Sequence, residues 1–145
     1  MPRLVRRVWF WAPPFLYMAV IFYLSSQSAP LPALTAAVWD KALHTIEYGG
    51  LGFLLARALR SEGVGWWAAI ISAIVLTSAY GASDEWHQSF VPMRDADVRD
   101  WIADTIGATV GVVVFGAFEE LTRITVGAGA GSPAPARRRA RDRRG

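Results

Sequence analysis

Residues 83–104 read SDEWHQSFVPMRDADVRDWIAD, a run holding six carboxylates, one histidine and two arginines between two long apolar segments. Neither lipid nor a protein core accepts such groups unpaired, so the run has to lie at the end of a helical bundle, where its charges can meet partners or water. The apolar segments on either side are residues 66–82, WWAAIISAIVLTSAYGA, and about 101–118. Each has about the length that spans a bilayer, roughly 20 residues. The charged run is therefore a connection between two membrane helices, and the rest of the chain is read outward from it.

Upstream lie two more candidate spans. Residues 1–24 open with the basic MPRLVRR and continue with an apolar run, taken as a helix over 8–24. An uncleaved anchor is favoured over a signal peptide, because the run is long for such a peptide and Pro30 lies close to the small residues Ser26 and Ser28. Pro13 and Pro14 either begin the regular helix or kink it. Residues 25–39 carry two prolines and several small polar side chains and read as a loop, with Ser25, Ser26 and Ser28 assigned to it. From Asp40, DKALHTIEYGGLGFLLARALR is polar on one side in its first half and apolar afterwards, a second span over 42–59. Gly63 and Gly65 make the turn into the third. In the fourth span Gly107 and Gly111 form a G-x-x-x-G pair, which lets another helix backbone approach closely.

Composition agrees with a membrane protein: 53% of the 145 residues are hydrophobic and mean hydropathy is +0.27. There is no cysteine, which removes disulfides, thiolate metal sites and a cysteine nucleophile. After Arg123 the chain ends in TVGAGAGSPAPARRRARDRRG, a stretch with too few apolar residues to fold. The expected organisation is a four-helix domain over 1–124 and a disordered basic tail over 125–145. Arginines of this density suit anionic lipid at the cytoplasmic face. Nucleic acid is not expected, since no aromatic or base-reading element accompanies them.

Charge sets the topology. With both termini cytoplasmic, the inside basics are Arg3, Arg6, Arg7, Arg57, Arg60, Arg123 and six tail arginines, leaving only Lys41, Arg94 and Arg99 of the 15 outside. The acidic residues divide the other way: Asp40, Glu47, Asp84, Glu85, Asp95, Asp97, Asp100 and Asp104 gather at the outer end. The fold class is thus all-α, an integral membrane four-helix bundle in the inner (plasma) membrane with both ends in the cytoplasm.

That arrangement brings separate polar stretches to one membrane face. Lys41, His44 and Tyr48 share one side of the second helix, and Asp100, Asp104, Gly107 and Gly111 share one side of the fourth. Asp84, Glu85, His87 and Gln88 follow the third span, with Arg94 beyond them. Several of these have ordinary structural readings. Asp97 and Asp40 stand where carboxylates cap helix N-termini, and Tyr48 suits an interfacial aromatic with a bonded hydroxyl. Asp84 and Glu85 sit where the helix dipole disfavours negative charge, so they are either functional or ion-paired to Arg94 or Lys41. His44 and His87 are candidate ligands of a divalent metal, candidate general bases, or structural histidines.

Three blocks, DKALHTIEYGGLGFLL, SDEWHQSFVPMR and DWIADTIGATVG, resemble the signatures of the VanZ-like membrane proteins: K-x-x-H-x-x-x-Y, then D-E-x-x-Q leading to V-P-x-R, then D-x-x-x-[ND]-x-x-G-A. The likeness covers about residues 20–115, with SSQS after the first span also familial. Met93 stands where the family leads one to expect glycine. The resemblance implies a bacterial integral membrane protein, linked through the family's namesake to resistance against the glycopeptide teicoplanin.

The expected function is a polar pocket at the extracytoplasmic face that takes an amphiphilic cell-envelope molecule, a glycopeptide-like antibiotic or an envelope lipid. Lys41, Tyr48, Asp84, Gln88, Arg94, Asp100 and Asp104 are the candidate binding residues. Were it an enzyme, Glu85 with His87 or His44 would serve as acid and base in hydrolysis or group transfer on an envelope lipid. The competing reading is a structural or immunity-type protein whose cluster only stabilises the bundle. A transporter is disfavoured, because the deeper halves of the helices carry no second polar layer.

Overall fold

A computed structural model describes residues 1–28 and 39–129. They form four helices: α1 Arg3–Ser25, α2 Asp40–Ser61, α3 Trp66–Gln88 and α4 Val98–Gly129. Cross-helix contacts fix an up-down-up-down order. At one end Lys41 of α2 meets Asp100 of α4, and Ser26 beyond α1 meets His87 of α3. At the other, Arg7 of α1 pairs with Glu62 after α2 at 3.1 Å, and Arg60 of α2 pairs with Glu119 of α4 at 2.8 Å. The bundle therefore has a carboxylate-rich end and an arginine-rich end, as the charge pattern required.

Among the described residues α1, α3 and α4 are long and apolar enough to cross a membrane. Their exposed residues, such as Phe15, Leu16, Ile71, Val75, Val110 and Val113, form an apolar outer surface. Exposed tryptophans stand toward both ends, Trp9 and Trp67 at one and Trp39, Trp86 and Trp101 at the other, the distribution expected at two membrane–water boundaries. α2 is not among the three, although it was read from the sequence as a span. Its polar groups account for this: the helix packs against all three others, and its His44, Tyr48, Leu51, Leu55 and Ala58 are buried. Helix partners, rather than lipid, receive its charges.

The α2–α4 contact is the closest in the bundle. A Cβ on Gly107 would stand 2.9 Å from backbone atoms of Thr45, and one on Gly111 would stand 2.7 Å from the carbonyl carbon of Gly49. Reciprocally, a Cβ on Gly52 would meet the carbonyl oxygen of Ala108 at 2.7 Å. Glycines on both helices thus bring backbone against backbone, where dispersion rather than water exclusion holds helices together in lipid. Below this seam Leu51, Leu55, Val112 and Phe115 continue the core, with Phe53 edge-on to Phe115 at 5.4 Å.

Helix boundaries depart from the sequence reading in three places. α1 starts at Arg3 and runs through Pro13 and Pro14, so the prolines do not begin it; lacking N–H groups, they leave the carbonyls of Trp9 and Phe10 without their usual helical donors. α3 runs on to Gln88, so Asp84, Glu85, His87 and Gln88 occupy its last turns rather than a connecting hairpin. No glycine or proline interrupts residues 82–91, so the helix persists beyond the apolar segment. α4 continues to Gly129, into the stretch expected as tail; residues 130–145, which hold the arginine cluster, lie outside the described residues. The turn after α2 agrees with the sequence. Gly63 has φ +82°, and Val64 N–H reaches Leu59 O while Gly63 N–H reaches Arg60 O, the paired bonds of a Schellman stop.

Candidate functional site

α3 buries a continuous stripe that is polar at its C-terminal end. Its buried residues are Ala69, Ala73, Thr77, Gly81, Asp84, Glu85 and Gln88, spaced mostly by four along one helix face. Small residues line the deep part, and carboxylates and an amide line the end. Gly81 leaves room for its neighbour: a Cβ there would lie 2.8 Å from Asp104 Oδ2 and 3.2 Å from Tyr48. The sequence reading did not single out Thr77 or Gly81, although their period with Asp84 and Gln88 carries that signal.

Against this stripe α2 and α4 set opposed rows. His44 Nδ1 is 2.9 Å from Asp104 Oδ1. One turn nearer the end, Lys41 donates to Asp97 at 3.1 Å and to Asp100, with Asp40 at 3.6 Å. One ammonium therefore serves three carboxylates. Asp97 also caps α4, its Oδ1 accepting the Arg99 N–H at 2.8 Å. That backbone donor, with Lys41 beside it, holds the Asp97 carboxyl below its usual range. Asp40 behaves differently from the expected cap: Trp39 is the N-cap of α2 and no side chain caps it, so Asp40 acts only on the helix dipole and Lys41.

The α3 carboxylates do not form the ion pairs considered for them. Glu85 Oε2 instead accepts the backbone N–H of Asp97 at 2.8 Å, which pins the start of α4 to α3. Asp84 Oδ2 accepts from Gln88 Nε2 at 2.9 Å, and the Gln88 carbonyl in turn accepts both Arg94 Nε and Nη2, at 3.2 and 2.6 Å. Arg94 thus reaches Asp84 only through an amide. Its loop carries strain, because Met93 adopts φ +65°, the left-handed conformation that explains why glycine was expected there.

Several buried polar atoms find no hydrogen-bond partner among the described residues: Asp84 Oδ1, Glu85 Oε1, Asp104 Oδ2, Thr77 Oγ1 and the Tyr48 hydroxyl. Tyr48 is fully buried and lies parallel to His44, ring centres 6.4 Å apart. It is therefore not the interfacial aromatic that the sequence suggested, and its hydroxyl faces the Asp84 carboxylate of α3.

His87 is turned away from these groups, toward α1. Its Nε2 is 3.0 Å from Ser26 Oγ and its ring stacks on Phe22 at 4.6 Å. The pairing of Ser26 with a histidine was not legible in the loop reading of the serines. Ser26 also donates to Phe22 O at 2.6 Å, so its proton is held by the helix and its oxygen accepts from the imidazole. That is the geometry of a helix-end lock rather than of an activated nucleophile. Of the candidate acid–base groups, the structure brings His44 and Glu85 together, not His87.

Two groups of side chains offer ligand atoms within 4.8 Å of one another: Asp40, His44 and Asp100, and His44, Glu85 and Asp104. No grouping of both histidines occurs among the described residues. At the far end of the bundle a groove lined by Arg60, Trp66, Gly116, Glu119, Glu120 and Arg123 is occupied by its own ion pairs.

Comparison with curated proteins and with solved structures gave no match. A family model described as VanZ/LLP1 matches residues 6–119, from the first turn of α1 to Glu119 of α4, and takes in every residue of the polar cluster. With that match over most of the chain and a helical bundle bearing membrane-like faces, the protein belongs to the VanZ/LLP1 family.

Proposed function

We propose that this VanZ-like membrane protein uses the cluster between α2, α3 and α4 as an extracytoplasmic pocket for the polar head of an amphiphilic cell-envelope molecule. The observation that carries this reading is the set of buried carboxylate oxygens of Asp84, Glu85 and Asp104 that have no hydrogen-bond partner among the described residues, at the same end of the bundle as Lys41 and Arg94. Each such group costs about 1–3 kcal/mol when left unsatisfied, and a ligand head group supplies the missing partners. The exposed apolar faces beside it suit an acyl chain. All four helices then cross the inner membrane, with the arginine-rich end and both termini in the cytoplasm. The arginines of residues 137–144 suit anionic lipid there, and a link to teicoplanin-type resistance follows if the bound molecule is the antibiotic or its envelope target.

Mass spectrometry of lipids retained by the protein purified in mild detergent tests the reading. The expected result is an enriched envelope amphiphile in wild type that is lost in Lys41→Met and Asp84→Asn at unchanged helicity. Equal lipid profiles in wild type and variants would refute it. Topology is checked on the cysteine-free chain by Ser28→Cys and Asp95→Cys, both expected to react with an impermeant maleimide from outside.

A second reading has its own support. Lys41 with Asp97 and Asp100, His44 with Asp104, and Gln88 with Asp84 and Arg94 tie three helices together, as in a structural or immunity-type protein. On that reading the same substitutions lower stability in proportion to any loss of phenotype.

A further inference from the structure

We propose that His44, Glu85 and Asp104 form a binding site for one divalent first-row transition cation, of the Zn²⁺ or Mn²⁺ kind. Each residue comes from a different helix, and one nitrogen and two carboxylate oxygens lie within 4.8 Å of one another. Bonds of about 2.1 Å put neighbouring ligands of one ion about 3 to 3.5 Å apart, so modest side-chain movement closes the site. The 2.9 Å between His44 Nδ1 and Asp104 Oδ1 already has that spacing.

Charge and satisfaction point the same way. Asp104 is fully buried and Glu85 nearly so, at 0% and 7% exposed, and each keeps an oxygen without a hydrogen-bond partner among the described residues, as does neighbouring Asp84. Among the described residues no fixed cation reaches them: Lys41 is held by Asp40, Asp97 and Asp100, Arg94 by Gln88, and Arg99 is exposed. The other group, Asp40, His44 and Asp100, is the weaker site for a metal, because the Lys41 ammonium already occupies both of its carboxylates. One imidazole with carboxylates suits Zn²⁺ or Mn²⁺ better than an all-oxygen ion such as Ca²⁺. On binding, the ion takes the place of the proton shared by His44 and Asp104. That proton leaves to solvent, so affinity falls as pH is lowered.

The site stands whether or not the pocket takes a lipid, and its test uses no lipid ligand. The full chain, purified in detergent without a polyhistidine tag, is stripped with chelator and titrated with Zn²⁺ and with Mn²⁺. Metal content is measured by mass spectrometry, and nitrogen coupling to bound Mn²⁺ by paramagnetic resonance. About one ion per chain is expected, with a nitrogen coupling and with affinity rising from pH 6 to about 7.5. Glu85→Gln and Asp104→Asn each weaken binding at least about tenfold while Asp40→Asn changes it less than about twofold. Size-exclusion profile and helicity identify any variant that fails to fold, and the other of the pair then carries the comparison. A folded wild type that takes up neither ion, or a Glu85→Gln variant that binds as tightly as wild type, overturns the site. Loss of binding in Asp40→Asn with Glu85→Gln unaffected overturns it in favour of the Asp40 group.

Discussion

Replacing Gly111 by alanine tests whether backbone contact between α2 and α4 sets the geometry of the polar cluster. The added Cβ would lie 2.7 Å from the carbonyl carbon and 3.0 Å from the Cα of Gly49, against the ordinary 3.5–4 Å of carbon contacts. Both atoms are backbone, so no rotamer change relieves the clash. The helices must part by about 1 Å, an overpacking that costs about 1–3 kcal/mol. Two turns away the His44–Asp104 bond, 2.9 Å long, would stretch beyond hydrogen-bonding range, and a lost bond to a charged group costs about 1.5–3 kcal/mol more. Alanine regains about 1 kcal/mol of helix propensity. The expected net loss is about 1.5–5 kcal/mol. Gly116→Ala is the control, since its Cβ would meet only the Trp66 ring, at 3.0 and 3.2 Å, and a side chain can turn aside. Reversible unfolding in mixed micelles, followed by helicity, measures both. A Gly111→Ala protein within about 0.5 kcal/mol of Gly116→Ala would refute the reasoning.

Tyr48→Phe removes a buried hydroxyl that faces the Asp84 carboxylate without a full hydrogen bond among the described residues; stability should change by less than about 1 kcal/mol in either direction while retention of the envelope amphiphile falls, and a larger destabilisation would show that the hydroxyl is fully bonded in the native protein. Met93→Gly should raise stability by up to about 1 kcal/mol, because the left-handed backbone costs Met about 1–2 kcal/mol, partly offset by glycine's unfolded-state entropy, and Met93 is 89% exposed with no packing to lose. Asp97 is lowered from its usual value by the Arg99 N–H and then by Lys41, so those two interactions contribute fully above the unfolded carboxyl value of about 3.9 and fade as pH falls through the lower folded value. Asp97→Asn keeps the cap but not the charge, so its deficit in melting temperature should be constant near neutrality and shrink below about pH 4; a deficit that grows on acidification would sink the assignment.

How much of this was legible in the residues depends on whether one helix or several carried the information. Lys41 and His44, three apart on α2, and Asp100 and Asp104, four apart on α4, were readable as faces. The parallel pairing of those faces follows once Gly107 and Gly111 identify where α4 can approach. Gly49 and Gly52 carry the complementary half of that seam and were passed over, because a G-x-x-x-G spacing does not describe them. The end of α3 was misplaced by six residues. Hydropathy reports where lipid ends, and a helix stops only where its backbone bonds fail, here near Pro92. His87 lies three residues from Asp84 and one from Gln88, and only the position of α1 decides that it turns to Ser26. Contacts that need a third helix leave no periodic trace in any one segment.

The two ends of the bundle solve their charge problem in opposite ways, and the difference bears on where function resides. At the arginine-rich end each described glutamate has an arginine: Glu62 takes Arg7, Glu119 takes Arg60, and Glu120 takes Arg123, while Arg57 lies over the Phe10 ring at 4.3 Å. These pairs are partly exposed and contribute little individually. At the other end eight carboxylates stand with only Lys41, Arg94 and Arg99 as fixed cations, and three of the carboxylates are buried with an oxygen that has no partner among the described residues. Had stability been the only requirement, replacing Asp84 or Glu85 by a neutral residue would remove the cost of desolvating a charge. Retaining a buried surplus of negative charge is what a site for a cation or a polar head group requires. It also explains why the seam beneath is backbone on backbone: charges that repel when unoccupied need the helices bearing them to be held from below.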